Sequence, residues 1–201
     1  NGLQRRTATY SLDGSARQHA PYRLEECTHE LTIVGTALDG RKKVFFAVTA
    51  YRTEDRERTA DLRVEEKTYQ YDAFGNVTIE RLRGVGTKDG AAMPGRERVT
   101  EIEYASSPDR FIVDRPSRVV VRDETGGIIS EKRRYYDGPA FVGLPLGQVD
   151  RGLVTRDEQL VLSEGEFAAH YAGMDAEALG YQVSTDRDGV ASWFVNTDRS
   201  A

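Results

Sequence analysis

Apolar and polar residues alternate with a period of two through most of the chain before residue 160, and helical periodicity is nearly absent there. Successive side chains of a β-strand point to opposite faces, so this alternation is typical of strands with one buried face. The alternating segments are rich in the β-branched and aromatic residues that strands favour: HELTIV, KVFFAVTAY, TYQY, VTI, VTEIEY, RFIV and RVVVR. Between them lie turn-forming sequences such as LDGS, LDGR, DAFG, DETGG and DRDG. The sequence predicts a mainly β protein of consecutive antiparallel hairpins.

The segment TYQYDAFGNVTIE, residues 68–80, has the clearest hairpin pattern. A three-residue Ala-Phe-Gly loop, closed by a left-handed glycine and its bulge, would set Tyr71 opposite Val77 and Tyr69 opposite Ile79. A loop one residue shorter or longer would place polar residues opposite these apolar ones. We therefore interpret the segment as a fold-forming turn.

The Asp-x-x-Gly motif of this turn, DAFG, occurs again in two further predicted turns, DETG and DRDG. In each, the aspartate is expected to accept hydrogen bonds from backbone amides two residues on, and the glycine to adopt positive φ. The same register would place Val121 opposite Ile129 and Val183 opposite Trp193. The predicted turn residues are Tyr69, Tyr71, Asp72, Gly75, Asp123, Gly126, Asp186 and Gly189.

Three segments interrupt the alternation. Residues 84–95 are predicted to be a glycine-rich loop between strands, and residues 163–180 to hold one or two short helices opened by a capping box. Residues 137–152 combine four glycines with two prolines, a composition that does not suit a central strand. We interpret them as an ordered crossing segment that buries Phe141 and Leu144 against the sheet.

Composition excludes several classes of function. The net charge is −5, so the basic surface typical of nucleic-acid and anionic-membrane binders is not expected, and no membrane contact is predicted. No apolar run approaches the roughly 18 to 20 residues that a membrane-spanning helix needs. The first residues lack the apolar region of a signal peptide. Either the chain is not exported by that route, or its true N-terminus is missing.

The residues that most often carry chemistry form no recognisable site. His19, His29 and His170 show no metal-ligand spacing with one another or with Cys27, which we interpret as a half-buried structural thiol rather than a nucleophile or intermolecular bridge. GVGTKDG lacks the Gly-Lys-Ser/Thr ending of a phosphate loop. DRDG lacks the glutamate of a calcium loop. We predict no catalytic, cofactor or metal site, and no enzyme activity.

Two stretches resemble a known family. YQYDAFGNVT resembles the tyrosine-aspartate (YD) repeat of the RHS family. RRYYDGPAFVGLPLGQVDRGLVTRDEQLVLSE, residues 133–164, is similar to the middle-to-C-terminal region of the B component of bacterial insecticidal toxin complexes and of related plasmid-virulence proteins. HELTIV and ASWFV fit the order of that region, so the resemblance covers roughly residues 25–200.

The resemblance implies that the hairpins wind into a long, curved or spiralling sheet. In the family this sheet and a C component form a hollow shell around a toxic polypeptide, which is later delivered through a translocation pore. The expected partners are the rest of a larger parent chain, a C-component-like RHS protein and the enclosed toxin, in a secreted virulence complex. Residues 1–201 would then be a single segment of the shell, without the family's β-propeller or self-cleaving aspartate region.

Two alternatives stay open on the sequence. The chain would be a carbohydrate- or cell-surface-binding YD-repeat module if exposed tyrosines stack on sugars. An enzyme would require a cleft with convergent polar groups, which no spacing here predicts. Whether the parent is a toxin-complex B component or another RHS protein also stays open.

Overall fold

The computed structural model describes residues 4–56, 61–89, 91–163, 173, 182–185 and 191–196, of which 161–163, 182–185 and 191–196 are described by their backbone alone. The strands are β1 (Arg6–Thr9), β2 (Arg23–Thr36), β3 (Lys42–Asp55), β4 (Arg63–Tyr71), β5 (Val77–Lys88), β6 (Ala91–Ser107), β7 (Ile112–Arg122), β8 (Ile128–Tyr136), β9 (Val154–Ser163), β10 (Gln182–Thr185) and β11 (Ala191–Asn196). One turn of 3-10 helix, Pro108–Arg110, is the only helix in this part of the chain. The prediction of a mainly β protein is confirmed. Of the helices predicted at 163–180, only Ser163, which ends β9, and residue 173 are described, and the rest of that range lies outside the described residues.

Strand order follows chain order from β1 to β9, and β11 lies between β9 and β10. The pairings between these strands are antiparallel. Short connections favour this outcome, because a tight turn can join antiparallel neighbours and cannot join parallel ones. The prediction of consecutive hairpins is confirmed.

The chain divides into two compact units. The first comprises residues 1–100 with 123–125, and the second comprises residues 101–122 with 126–201. Each unit has its own small set of buried apolar side chains. Those of the first are Leu24, Ala47 and Val64, and those of the second are Ala105, Val120, Tyr136 and Val149.

The hairpin between β4 and β5 contains a bulge that the alternation did not predict. Tyr71 pairs with Val77 as the loop length requires, but Tyr69 pairs with Glu80. The predicted pairing of Tyr69 with Ile79 is therefore wrong by one residue. Thr78 is the extra residue, and a bulge of this kind is set by local backbone geometry rather than by polarity.

The hairpin between β7 and β8 has the same bulge at the corresponding position. Arg122 pairs with Ile128, and Val121 pairs with Ser130, which leaves Ile129 as the extra residue. The predicted pairing of Val121 with Ile129 is wrong for the same reason. The third hairpin differs, because β10 and β11 pair without a shift and Val183 lies opposite Trp193.

The glycine-rich loop predicted at residues 84–95 is wrong. Strand β5 continues to Lys88 and β6 begins at Ala91. Two of the glycines allow close approach instead: a Cβ atom on Gly86 would lie 2.8 Å from the carbonyl oxygen of Leu62, and one on Gly95 would lie 3.2 Å from the carbonyl oxygen of Gly84. Glycine density therefore marked tight strand packing here rather than a loop.

The crossing segment, residues 137–152, is ordered by groups other than those predicted. Phe141 is 55% exposed and Leu144 is only half-buried, so the predicted burial of Phe141 is wrong. The buried residues of the segment are Asp137 and Val149, and Val149 belongs to an apolar cluster of the second unit. Hydrogen bonds to a carboxylate thus replace the aromatic anchor that composition had indicated.

Candidate functional site

The turn after β4 uses every oxygen of the Asp72 carboxylate. Its Oδ1 atom accepts hydrogen bonds from the backbone amides of Phe74 at 2.8 Å and Asn76 at 2.9 Å, and its Oδ2 atom accepts one from Asn76 Nδ2 at 2.9 Å. Gly75 has a φ of 89°, and its amide donates to the Asp72 carbonyl oxygen at 3.2 Å. Burial favours the protonated carboxyl, but these hydrogen bonds outweigh it and lower the pKa of Asp72. Both carboxylate oxygens of Asp72 are therefore bound by residues of the same turn.

The two tyrosines before this turn are also engaged within the fold. Tyr71 donates its hydroxyl to the carbonyl oxygen of Val48 at 2.7 Å, and its ring meets Phe45 edge-on with 5.9 Å between centroids. Tyr69 is half-buried on the same strand. Burial is the main cause of the raised pKa of both tyrosines. Tyr71 is thus held by contacts within the fold, and Tyr69 is only partly exposed.

The second predicted turn has related geometry, and the third cannot be compared. Asp123 Oδ1 accepts hydrogen bonds from the amide of Thr125 at 2.9 Å and from its hydroxyl at 2.7 Å. Gly126 has a φ of 86°. Asp186 and Gly189 lie outside the described residues.

Asp137, which is buried, joins the two ends of the crossing segment. The sequence analysis did not identify this residue. Asp137 Oδ2 accepts hydrogen bonds from the amides of Asp150 at 2.8 Å, Arg151 at 2.8 Å and Gly152 at 3.0 Å, and its Oδ1 accepts one from Leu153 at 3.1 Å. Burial opposes ionisation, but these amides prevail and lower the pKa of Asp137 to about 2. The only sequence signal was the Asp-Gly pair at its start.

The glycines of the crossing segment let its backbone lie directly against two strands. A Cβ atom on Gly143 would be 2.6 Å from Tyr135 Cβ, and one on Gly152 would be 2.8 Å from Arg115 Nε. Both glycines have positive φ, which side chains disfavour in any case. The segment is a packed part of the second unit.

The second unit contains a buried ionic network. Glu131 Oε1 accepts hydrogen bonds from Arg118 Nε at 2.6 Å and from Arg133 Nε at 2.9 Å, and Arg118 Nη1 also donates to Glu103 Oε1 at 3.1 Å. The Glu131 side chain is 2% exposed. Burial alone would raise the pKa of Glu131, but the two guanidinium groups outweigh burial and lower it. The network neutralises its own charges.

Strands β8 and β9 carry further paired charges. Arg134 donates to Asp157 through two hydrogen bonds of 2.7 and 2.9 Å. Tyr135 donates its hydroxyl to Glu158 at 2.9 Å, and the Arg156 guanidinium lies 3.8 Å from the centroid of the Tyr135 ring. Burial, followed by the charge of Glu158, raises the pKa of Tyr135. These groups bind one another instead of converging on an open cleft.

The first unit arranges charges in a row across its strands. Arg6 pairs with Glu26 at 3.5 Å, Glu26 with Arg52 at 3.7 Å, and Arg52 with Glu66 at 3.1 Å. The backbone register places the same residues opposite one another on β1, β2, β3 and β4. All four side chains are more than one-third exposed. The row is a surface feature of alternating sign, and Arg52 also pairs with the buried carboxylate of Glu54.

The structure brings together one Cys/His pair that the sequence analysis did not expect. Cys27 Sγ lies 3.4 Å from His29 Nε2, and the imidazole stacks on Phe46 with 4.7 Å between ring centroids. The His29 Nδ1 atom is buried without a hydrogen-bond partner. His19 is exposed, and His170 lies outside the described residues. Among the described residues, no three His, Cys, Asp or Glu side chains are grouped so that they could hold a metal ion.

Two open clefts lie on the first unit, and neither gathers groups suited to catalysis. The cleft of about 210 Å³ beside Cys27 contains charges that are paired across strands, including Arg6 with Glu26. The cleft of about 410 Å³ is lined mainly by glycines and apolar residues, among them Leu62, Val64, Gly84, Val85, Gly86, Met93 and Pro94. Neither combines a nucleophile with a base and an orienting group.

No family model and no curated protein matches the sequence. Solved structures do match in fold. A chain of the TcdB2–TccC3–Cdc42 crystal structure is similar over 97% of this chain, with a TM-score of 0.78 and 13% identity. A chain of the TcdB2–TccC3–TEV crystal structure is similar over 96%, with a TM-score of 0.78 and 14% identity. A chain of the Photorhabdus luminescens Tc holotoxin pore, with a mutated TccC3, is similar over 96%, with a TM-score of 0.75 and 16% identity.

These matches are matches of fold, and they concern only part of the longer chains. The present chain spans 12% of the length of each of the three. The chain therefore has the fold of a segment of Tc toxin chains.

No helix in the described part of the chain is long and apolar enough to cross a membrane.

Proposed function

We propose that the chain is a non-catalytic segment in the wall of an RHS shell that encloses a toxic polypeptide and helps to deliver it. The observation that carries this proposal is the fold likeness over 97% of the chain to one segment of a TcdB2–TccC3 complex. The YD-like turn and the resemblance of residues 133–164 support the same assignment.

The chemistry of the buried charges supports a wall rather than an active site. Asp137 is held by backbone amides, and Glu131 is held by two arginines. Active sites shift pKa values toward the working pH, whereas the pKa values of these carboxyl groups are lowered away from it. Such groups stabilise a fold and do not exchange protons near neutrality.

The partners in this proposal are the remainder of a longer parent chain, a C-component-like RHS protein and the enclosed polypeptide. The complex acts outside the producing cell, as a secreted virulence factor. Support comes from the structural neighbours, which include a complex of TcdB2 with TccC3 and a Tc holotoxin pore.

A carbohydrate- or cell-surface-binding module is the second candidate, and one observation favours it. Tyr10 and Tyr22 are both exposed, and they flank the end of the β1–β2 pairing, where the Tyr22 amide donates to the Thr9 carbonyl oxygen at 2.9 Å. Exposed aromatic rings at one place can stack on sugars. Saturable binding on a glycan array, lost in a Tyr10→Ala/Tyr22→Ala variant, would favour this candidate.

Protease protection of the enclosed polypeptide tests the shell proposal. The full-length parent would be assembled with its C-component-like partner, with Gly143→Ala or Gly147→Ala in this segment. Both glycines have positive φ, but only a Cβ on Gly143 would meet another part of the protein, at Tyr135. We expect Gly143→Ala to expose the enclosed polypeptide to protease, and Gly147→Ala to keep it largely protected. A wall role would be refuted if the segment is shown to be unfolded in the Gly143→Ala complex and the enclosed polypeptide still resists protease.

A further inference from the structure

Residues 28–49, called the ribbon below, extend beyond the strands that flank them. Strand β1 pairs with β2 only over Arg23–Glu26, and β4 pairs with β3 only from Ala50 onward. Among the described residues, no further strand pairs with either side of the ribbon. A two-stranded hairpin is marginally stable in water by itself, so a projecting ribbon needs support from other contacts.

One face of the ribbon has that support. The Phe45 ring packs edge-on against Tyr71, and a Cβ atom on Gly75 would lie 2.6 Å from it. The Tyr71 hydroxyl binds the backbone of the ribbon at Val48. These contacts hold the ribbon against the turn after β4.

The opposite face carries an apolar ladder, defined as Leu31, Ile33, Val44 and Phe46. Leu31 pairs with Phe46, and Ile33 pairs with Val44, so the four side chains share one surface. They are between 36% and 65% exposed. Contiguous apolar surface on an ordered element marks an interaction site more often than scattered apolar residues do.

Cationic side chains lie at the tip of the ribbon beside the ladder. Lys42 and Lys43 are exposed, and neither forms an ion pair with a described residue, whereas Arg41 pairs with Asp39. Lys42 shares the ladder's strand face, because side chains at every second position of β3 point the same way. The chain as a whole carries a net charge of −5, so this cationic tip is a local exception.

We propose that the apolar ladder is a docking surface for an amphipathic segment of another polypeptide. Its apolar side chains would cover Leu31, Ile33, Val44 and Phe46, and acidic residues at one end would meet Lys42. The sign of the lysine charge selects an acidic partner, and the flat two-strand surface suits an extended one. The inference stands on the ribbon alone and does not depend on the proposed function.

Titration of the 201-residue chain with labelled peptides tests this docking surface. The probe is a blocked peptide of alternating valine and threonine that ends in paired glutamates, and its control ends in paired lysines. We expect saturable binding of the glutamate peptide, which is about tenfold tighter than that of the control and weakens with salt.

Three variants locate the binding. Ile33→Thr/Val44→Thr should weaken binding of the glutamate peptide about tenfold, because it removes apolar surface from the ladder. Ile129→Thr, at an exposed residue of β8, is the matched control and should bind normally. Lys42→Glu should reverse the preference between the two peptides. Circular dichroism and melting curves check that each variant is folded.

Several results would overturn the inference. These are absence of saturable binding, equal affinity for the two peptides, or unchanged binding by the ladder variant. A concentration-dependent dimer that is lost in the ladder variant would show that a second copy covers the ladder instead. Binding to phosphatidylserine vesicles without binding to the peptide would assign the surface to a membrane.

Discussion

Two ionic networks, one in each unit, differ in how deeply their charges are buried. In the first unit, Arg52 lies between Glu26 and Glu66, and these three side chains are 38% to 41% exposed. In the second unit, Glu131 lies between Arg118 and Arg133 and is 2% exposed. Both networks join charged residues on neighbouring strands, and both alternate in sign.

The difference in burial changes what each network does for stability. An exposed ion pair gains little, because water and salt screen it and its side chains must be ordered. A buried charge has lost its hydration, so removal of one partner leaves an uncompensated charge in a poorly polarisable environment. The end of the exposed row, at Glu66, should therefore tolerate substitution, and Glu131 should not. Arg52 differs from Glu66, because it also pairs with the buried Glu54.

The largest expected effect is that of Glu131→Ala. It leaves Arg118 and Arg133 without their shared acceptor, so the free energy of unfolding should fall by about 3 to 5 kcal/mol. Urea unfolding measures the change. Simultaneous replacement of all three residues by methionine should cost less than the single substitution, because no buried charge then loses its partner, and Glu103, which loses Arg118, is 37% exposed. A loss below about 1 kcal/mol for Glu131→Ala would contradict the contrast between the two networks.

Asp137→Asn should have the next largest effect. An asparagine side chain has one acceptor oxygen in place of two and turns a donor toward the amides of Asp150, Arg151, Gly152 or Leu153. We expect a loss of about 2 to 4 kcal/mol in the free energy of unfolding.

The same residue predicts a pH dependence. The pKa of Asp137 is about 2 in the folded chain, against 3.8 for an ordinary aspartate, so the folded state favours the charged form. This contribution is complete above an ordinary carboxyl pKa and is lost as the pH falls toward about 2. In urea melts at stepwise lower pH, the parent chain should therefore lose stability more steeply than Asp137→Asn. Parallel pH profiles would contradict the assignment.

Substitution of the two turn glycines should have an intermediate effect on stability, and the two variants can be compared directly. Gly75→Val and Gly126→Val both place a branched residue at positive φ, which costs about 1 to 3 kcal/mol. Only a side chain at Gly75 would also collide with Phe45. Gly75→Val should consequently be the more destabilising of the two in urea melts, and equal losses would mean that Phe45 moves aside without cost.

The smallest expected effect is that of Glu66→Ala. It removes one end of the exposed row, so the free energy of unfolding should fall by only about 0.2 to 1 kcal/mol. The loss should shrink further at high salt, because screening weakens the pair in the parent chain. A loss comparable to that of Glu131→Ala would mean that exposure does not separate the two networks.

Several features of the fold followed from sequence patterns, and others did not. Alternation predicted the strands, and Asp-x-x-Gly predicted turns where Gly75 and Gly126 do have positive φ. Alternation did not reveal the bulges at Thr78 and Ile129, because an extra residue in one strand changes the pairing without changing the local polarity.

The crossing segment shows why a candidate site is harder to predict than a strand. Its apolar content favoured burial of Phe141, yet Asp137 and Val149 are the buried residues. Asp137 holds the segment in place only because the backbone amides of residues 150–153 donate hydrogen bonds to its carboxylate. The sequence around Asp137 does not indicate that residues 150–153 lie beside it in the fold.

The sequence by itself determined the β-strand character of this protein and the places where its chain turns. Both depend on interactions between residues close in the chain: side-chain alternation, β-branching, and the backbone freedom of glycine. Only the tertiary structure decided that Glu131 is buried while Glu66 remains exposed, although each pairs with an arginine of the preceding strand. Burial depends on which neighbouring strands and side chains cover a residue, and that is set by pairing between residues far apart in the chain.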